Sequence, residues 1–335
     1  MQSKKNKKNH YSHKIDKSKI VEYNYHQPVL LDESIELLIN DKNGTYIDGT
    51  LGGGGHAKKI MQNLNSGGNL FAFDKDINAI KHVKSLLLFE EELKQLQPAP
   101  SFVPFNTSFS KACDICKERN IKPAGLLLDL GVSSQQLDTD QRGMSYRVDC
   151  PLDMRFGNEG ITAQEIINTY SEEDIANILF KYGEEPRNRQ IAKAIVGYRK
   201  IHSINTTFEL RSIIENITSK QYHFKTLSRV FQAIRIEVNH ELEELSNTLN
   251  DIIDILIPGG RIVVISYHSL EDRVVKQIFK ENSATSKINK YSVAKSTNVT
   301  KLRIITHKPI VPSEQEILIN PRARSAKMRV AEKLN

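Results

Sequence analysis

The chain predicts an α/β fold: a Rossmann-like, doubly wound parallel sheet interrupted by a helical insertion. Three observations carry that prediction. The run Tyr46-Ile-Asp-Gly-Thr-Leu-Gly-Gly-Gly-Gly-His56 passes from β-compatible residues through a carboxylate into four consecutive glycines, and an amphipathic helical pattern follows at once. Strand-like and helix-like segments then alternate to about residue 131, which implies strands joined by crossover helices. From about 138 to 250 strand patterns vanish, and they return only after Pro258.

The elements follow in order. Residues 1–20 read as a disordered basic tail, and His26-Gln-Pro-Val-Leu-Leu-Asp-Glu33 opens ordered structure with a helix over 33–39. Thr45, Tyr46 and Ile47 favour a strand over 45–48, because β-branched and aromatic side chains fit a pleated surface. A helix over about 55–64 comes next. Asn69-Leu-Phe-Ala-Phe-Asp74 is a second strand ending in a carboxylate, with a helix over 77–88 behind it. Phe102-Val-Pro-Phe105 is a short third strand, followed by a helix near 110–119. Ala124-Gly-Leu-Leu-Leu-Asp-Leu-Gly131 is almost wholly apolar, as the buried middle of a parallel sheet requires. Beyond it, Thr162-x-x-Glu165, Ser171-x-x-Asp174 and Thr206-x-x-Glu209 are helix-start signals, and Ile175, Ile178, Leu179 and Tyr182 form one apolar stripe. A single helix over about 227–257 returns the chain to the sheet. Pro258-Gly-Gly turns it into a fifth strand, and 302–306 with 325–330 form a terminal strand pair. The expected division is a tail (1–20), a first sheet segment (21–137), a helical insertion that recognises substrate (138–225) and a second sheet segment (226–335).

Of 335 residues, 39% are hydrophobic, enough for a packed core, and no apolar run reaches the roughly 18–20 residues that span a membrane. The first residues lack the apolar stretch of a secretory signal. Cys113, Cys116 and Cys150 without such a signal point to reduced thiols in the cytoplasm. Cys113-x-x-Cys116 has neither a second pair nor nearby histidines, so it reads as two ordinary thiols rather than a zinc site. The net charge of +7 sits at the ends. Residues 1–20 hold seven Lys and one Asp (+6), residues 321–335 hold five Lys/Arg and one Glu (+4), and −3 is left for the rest. Basic ends suit a polyanion through counterion release. For the N-terminal run alone, a solvated tail is the simpler explanation.

Gly52-x-Gly54-x-x-Ala57 fits a dinucleotide fingerprint, and Asp74 lies 22 residues beyond Gly52, where a carboxylate holds ribose hydroxyls. Glycine there lets the backbone approach a ligand closely. Asp74 suits NAD and S-adenosylmethionine alike, whereas Asp48 discriminates. NAD places a pyrophosphate over the loop, which a carboxylate repels; S-adenosylmethionine presents a sulfonium and an ammonium, which it attracts. The order acid-x-x-x-Gly-x-Gly therefore favours S-adenosylmethionine. Asp129 ends the fourth strand, where ligands bind open α/β sheets; a turn or N-cap carboxylate is its other reading.

Further segments complete a pattern: Asp129-Leu-Gly-Val-Ser-Ser-Gln-Gln-Leu-Asp138, Arg142-Gly-Met-Ser-Tyr146, Pro151-Leu-Asp-Met-Arg155, Gly183-Glu-Glu-Pro-Arg-Asn-Arg189, Ser266-Tyr-His-Ser-Leu-Glu-Asp-Arg273 and Asn320-Pro-Arg-Ala-Arg-Ser325. With the His26 and Tyr46 segments, in this order, they make the chain resemble the bacterial RsmH (MraW) family over about 22–332. The resemblance implies a methyltransferase domain that uses S-adenosylmethionine to methylate N4 of a cytidine in 16S rRNA of the small ribosomal subunit. It also implies that Gly54, Gly55 and His56 touch the methionine part, Asp74 the ribose, Phe109 the adenine, and that Asp129 and Gln136 complete the pocket. Gly53 and Met144 depart from it, since relatives often carry a larger residue and an aromatic there.

The implied acceptor is an exocyclic amine whose lone pair is conjugated with the ring. A group accepting its N–H helps to localise that pair, and positioning supplies most of the rate. Asp129 is the first candidate, followed by Ser133, Ser134 and His268; His268 reads equally as a helix-start or core residue. N4 transfer needs no covalent intermediate, and Cys150-Pro151 reverses the Pro-Cys order of C5-cytosine enzymes, so Cys150 reads as structural. A base presented edge-on comes from single-stranded or flipped RNA. In the insertion, Arg142, Tyr146, Arg147, Arg155, Arg187 and Arg189 supply cations and an aromatic for it. Singly, each arginine is better explained as a solvated surface residue or an ion pair, and only the cluster points to RNA. Asn320-Pro-Arg-Ala-Arg324 adds phosphate contacts or simply ends the sheet. Two rival readings stand beside this one: an NAD-dependent oxidoreductase and a non-enzymatic ribosome-assembly factor.

Overall fold

Seven strands, β1 (Thr45–Asp48), β2 (Asn69–Phe73), β3 (Ser101–Phe105), β4 (Gly125–Asp129), β5 (Arg261–Ser266), β6 (Leu302–Ile304) and β7 (Lys327–Lys333), form one sheet in the order β3-β2-β1-β4-β5-β7-β6. The computed structural model describes residues 28–89, 98–131, 142–283 and 300–335. The first five strands are parallel, and β7 enters antiparallel between β5 and β6. The chain winds outward from β1 to β3, then crosses back to start again at β4. The boundary between β1 and β4 is therefore the switch point, where a crevice opens beyond the strand ends.

Alternation along the strands sorts side chains into two cores. Tyr46, Leu70, Leu127, Val263 and Ile265 pack on one face with α1 (Leu31–Leu38), α2 (Gly55–Asn63) and α3 (Ile77–Phe89). Ile47, Phe71, Leu126, Leu128 and Val264 pack on the other, beginning with α4 (Ala112–Glu118). Leu126, Leu127 and Leu128 are all fully buried, each contributing about 1.5–3 kcal/mol of burial free energy. Cys113 and Cys116 face this second core as free thiols, and burial pushes them up to about 12 and about 11. They fill space there as small apolar side chains.

Among the described residues, the insertion after β4 is built of α5 (Ala163–Thr169), α6 (Glu172–Gly183), α7 (Asn188–Arg199), α8 (Thr207–Ile217) and α9 (His223–Asn239). Among the described residues, no strand lies between β4 and β5 beyond an isolated bridge of Pro151 with Thr206. Thr162 with Glu165 and Thr206 with Glu209 form reciprocal capping boxes, and the Ser171 hydroxyl accepts the Asp174 N–H. A third core, with Ile166, Ile175, Leu179, Ile191, Ile214, Leu227 and Phe231 in it, belongs to these helices and to Leu152, Met154 and Ile204 of the segments that lead into and join them.

The single helix expected over 227–257 is two helices. His240 sits in the left-handed region (φ 50°, ψ 36°) and separates α9 from α10 (Glu241–Ile255). Arg235 clamps the break through a two-pronged bond to Glu241, at 2.8 and 3.1 Å. The break reassigns the packing: α9 buries Leu227, Val230 and Ile234 in the insertion's core, while α10 buries Leu245, Leu249 and Ile252 against the sheet. We place the insertion's return boundary at His240 on that ground. After β5, α11 (Ser269–Ser283) joins α10 on the sheet, and α12 (Glu314–Ile319) precedes β7.

His240 is exposed and its left-handed backbone costs about 1 kcal/mol for a residue with a Cβ. His240→Gly is expected to raise the midpoint of urea unfolding by the equivalent of about 1 kcal/mol, reduced by glycine's greater freedom in the unfolded chain. An unchanged or lower midpoint is the contrary outcome.

Candidate active site

The glycine loop leaves β1 and enters α2 through Gly52 (φ +48°) and Gly54 (φ +80°), the latter serving as N-cap. These are backbone states that glycine adopts without a Cβ penalty. The adjacent glycines also have a packing cause. A Cβ on Gly54 would lie 2.5 Å from Val83 of α3, and one on Gly55 would lie 2.7 Å from the Pro28 ring. They let α2 pack closely and so fix the loop. Gly49, just past β1, leaves room for Phe109; a Cβ there would fall 2.4 Å from Leu128 and 2.9 Å from the Phe109 Cβ.

Three carboxylates converge at the strand ends. Asp48, closing β1, is fully buried; its Oδ1 accepts the Thr50 N–H at 3.1 Å, and its Oδ2 has no hydrogen-bond partner among the described residues. Burial pushes its carboxyl up to about 7, the Thr50 N–H opposes the rise and the Asp74 charge adds to it. Asp74, one residue past β2, accepts the Gly52 N–H at 2.9 Å and the Asp76 N–H at 2.8 Å, and burial again raises its pKa. A carboxylate offers about four lone-pair directions, so Asp74 holds the loop and retains acceptor capacity. Asp129, closing β4, donates its N–H to Thr50 Oγ1 at 2.6 Å, and its Oδ1 accepts the Tyr267 hydroxyl at 2.9 Å. Its Oδ2 lies 3.7 Å from His56 Nδ1. Burial pushes Asp129 to about 7, against the Tyr267 bond and with help from Asp48 and Glu271.

A buried acceptor without a donor costs about 1–3 kcal/mol. Asp48 Oδ2 thus lacks a donor among the described residues, and its charge favours a cationic group nearby, whereas a pyrophosphate would add to the repulsion among the three acids. The donor set here matches S-adenosylmethionine.

His56, in the first turn of α2, is buried and its Nε2 lies 3.2 Å from the Val29 carbonyl. A carbonyl only accepts, so Nε2 is the donor in that contact, and Nδ1 is the ring nitrogen on the Asp129 side. Phe109 opens a single 3-10 turn after β3. Gly54, Gly55, His56, Asp74, Phe109 and Asp129 therefore gather at the carboxyl edge around the switch point. Ser133, Ser134 and Gln136 lie outside the described residues.

His268 pairs with Glu271. Its Nε2 is 3.0 Å from Glu271 Oε1, and its Nδ1 accepts the Glu271 N–H at 3.4 Å. Glu271 Oε2 in turn accepts the N–H groups of Tyr267 and His268 at the start of α11. Burial pushes Glu271 up, but His268, the Tyr267 N–H and Arg235 outweigh it and hold the carboxylate low. The helix-start role is the one this geometry favours for His268. Sequence reasoning passed over its neighbour Tyr267, whose hydroxyl reaches Asp129; its position one residue beyond β5 was the available signal.

The candidate substrate residues lie on the insertion and its approach. Arg142 donates to the carbonyls of Phe156 (2.6 Å) and Arg155 (3.3 Å). Arg155 forks onto Asp153 at 2.7 and 2.8 Å and reaches the carbonyls of Asn158 and Gly160. Both hold the 142–160 segment in shape. The Tyr146 hydroxyl pairs with Ser228 at 3.0 Å, Arg147 is exposed, Arg187 lies over the Tyr222 ring and Arg189 is exposed in the first turn of α7. Glu184, also left-handed (φ 48°), ties the insertion to α11 through Ser269 (3.1 Å) and Arg273 (2.9 Å).

The profile of the MraW methylase family matches residues 23–334. The Ribosomal RNA small subunit methyltransferase H of Chlorobium phaeobacteroides is 44% identical over 319 residues, covering 92% of this chain and 95% of that protein. The proteins of the same description from Fusobacterium nucleatum and Bacteroides thetaiotaomicron are each 41% identical over 314 residues, covering 92% and 93% of this chain and 97% and 98% of their own lengths. Among the described residues, no helix is long and apolar enough to cross a membrane.

Asp48 binds its proton more tightly folded than unfolded, where the ordinary value is 3.8. Its ionisation therefore opposes folding increasingly as pH rises from about 4 to about 7, after which the effect is constant. Asp48→Asn is expected to stabilise the free protein by up to roughly 4 kcal/mol at pH 8 and by much less at pH 4.5, while weakening S-adenosylmethionine binding. Thermal unfolding at both pH values, with a binding titration, checks this; a gain independent of pH counts against the assignment.

Proposed function

The chain belongs to the MraW methylase family, and from that premise we propose that it methylates N4 of a cytidine in 16S rRNA of the small ribosomal subunit, in the cytoplasm, with S-adenosylmethionine as donor. The observation that carries the reading is the buried Asp48 Oδ2, without a hydrogen-bond partner among the described residues, near Asp129 at the switch point. Neither rival accounts for it: a nicotinamide dinucleotide meets three acids where its phosphates belong, and a purely structural RNA-binding factor has no use for them.

When bound, S-adenosylmethionine supplies a methyl group activated by a sulfonium. The residues of the chain do the rest. Asp48 and Asp129 favour a positively charged ligand at the crevice, and Asp74 offers its remaining lone pairs to ribose hydroxyls. Asp129 Oδ2, the oxygen not engaged by Tyr267, accepts the N–H of the target amine. A carboxyl near 7 is matched to taking a proton at neutral pH. His56 Nδ1, 3.7 Å from Asp129 Oδ2, stands beside the carboxylate that takes that proton. Tyr267 fixes the rotamer of Asp129 and, by donating to it, keeps more of it ionised.

Incubation with methyl-labelled S-adenosylmethionine and unmodified small subunits, followed by mass mapping, is expected to place label on one cytidine as the N4-methyl product. Absence of label, or label on ring carbon, defeats the proposal. Asp129→Asn is expected to lower kcat by about 100-fold or more. Tyr267→Phe removes the bond that lowers Asp129, so the acid limb of the pH–rate profile is expected to move to higher pH, with S-adenosylhomocysteine affinity nearly unchanged. An unmoved limb would show that Tyr267 acts only in packing.

A further inference from the structure

Charge is unevenly spread over the insertion. Residues 186–208 hold five Lys/Arg and no acid, and residues 216–236 hold four Lys/Arg and no acid. The two stretches meet where the Arg187 guanidinium lies 5.4 Å from the centre of the Tyr222 ring. Several of these cations have internal work. Arg229 faces Glu185, Arg235 faces Glu241, and Arg199 binds the carbonyls of Ile167 and Tyr170. Others do not: among the described residues, Arg187, Arg189, Lys220 and Lys225 have no carboxylate at ion-pair distance, and Lys220 and Lys225 are exposed.

Two large aromatic side chains stand among these cations. Tyr222 is 46% exposed and Phe224 is 66% exposed. Phe224 is nonetheless held: its ring meets Tyr146 edge-on at 6.2 Å, and Tyr146 is anchored by Phe231 at 5.5 Å and by Ser228. A fixed aromatic face beside unpaired cations, with Glu215 already engaged by Arg211 at 2.8 Å, complements an anion that carries flat rings. Unpaired nucleotides have that chemistry, since their bases stack on aromatic faces while their phosphates meet Lys and Arg. A base-paired helix would offer the phosphates but no ring face to Tyr222 and Phe224.

The distance to the candidate active site is short along the chain. Glu184 binds Ser269 and Arg273 at the start of α11, two residues from Tyr267. Arg187 follows Glu184 by three residues, so their Cα atoms are at most about 11 Å apart.

We propose that Arg187, Arg189, Lys220, Tyr222, Phe224 and Lys225 form a docking face for unpaired nucleotides flanking the target cytidine. Tyr222 and Phe224 stack bases and the four cations hold phosphates. This rests on the reading of ribosomal RNA as substrate, and it assigns that RNA a second foothold outside the crevice.

The test uses the full chain. Tyr222→Ala with Phe224→Ala, and separately Lys220→Gln with Lys225→Gln, are compared with the parent for binding to protein-free 16S rRNA and to assembled small subunits over a range of salt. The aromatic pair is expected to weaken RNA binding by roughly ten-fold or more. The lysine pair is expected to lower the slope of log affinity against log salt by about 1 to 1.5. Both should leave S-adenosylhomocysteine affinity unchanged, which reports an intact fold. Unchanged affinity and salt slope in both variants overturn the proposal. A loss seen with assembled particles but not with protein-free rRNA also overturns it, in favour of a ribosomal protein as the partner. RNA affinity is read without turnover, so failure of the parent to transfer methyl falls on the activity and not on this face.

Discussion

Three acids held at the ends of parallel strands, two of them raised by burial to about 7, set the terms for the rest of the molecule. Like charges in a low-dielectric crevice repel, and burial, reinforced by the neighbouring carboxylates, drives Asp48 and Asp129 to about 7. The sheet has to be rigid to hold them there. It achieves this with a central strand of three fully buried leucines, helices on both faces, and glycines that let α2 close down on Val83 and Pro28. The crevice is thus destabilised on its own and completed by a cation, which is a physical route to selectivity against phosphate-bearing cofactors of similar shape.

A second constraint is the seam between insertion and sheet. Two left-handed residues, Glu184 and His240, end α6 and α9 there, and each is followed by a carboxylate-to-arginine or carboxylate-to-hydroxyl tie: Arg235 with Glu241, Arg273 and Ser269 with Glu184. Strained backbone kept in place by such ties concentrates where geometry matters. The insertion, with its own apolar core, is located on the sheet through polar contacts of defined direction beside the residues that carry Asp129's hydrogen bond.

Much of this was legible in the chain. The five parallel strands showed as short apolar runs, and the carboxylates showed because each terminates one of them. The helix starts of the insertion showed because Thr162, Ser171 and Thr206 carry their partners three residues on. Other features were not legible for physical reasons. The break at His240 hides because α9 and α10 both keep helical periodicity, and nothing local marks a histidine for a left-handed backbone. The glycines looked like room for a ligand, but the atoms that require them, in Pro28 and Val83, are distant in sequence from the contact. Tyr267 was missed because its partner lies 138 residues away. Arg142 and Arg155 each read singly as a surface residue or an ion pair, but which carbonyls and carboxylate they take depends on how a loop folds back on itself.

The antiparallel entry of β7 between β5 and β6 bears on how the molecule is made. β6 precedes β7 in the chain yet has β7 as its neighbour in the sheet, and Arg261 to Ser266 of β5 await the same strand. That flank of the sheet stays open during synthesis until the β7 segment has emerged. The insertion meets no such delay, because its core draws on one continuous stretch of chain. The nascent protein therefore acquires its helical lobe well before the crevice has a finished scaffold behind it, so the two halves mature on different clocks.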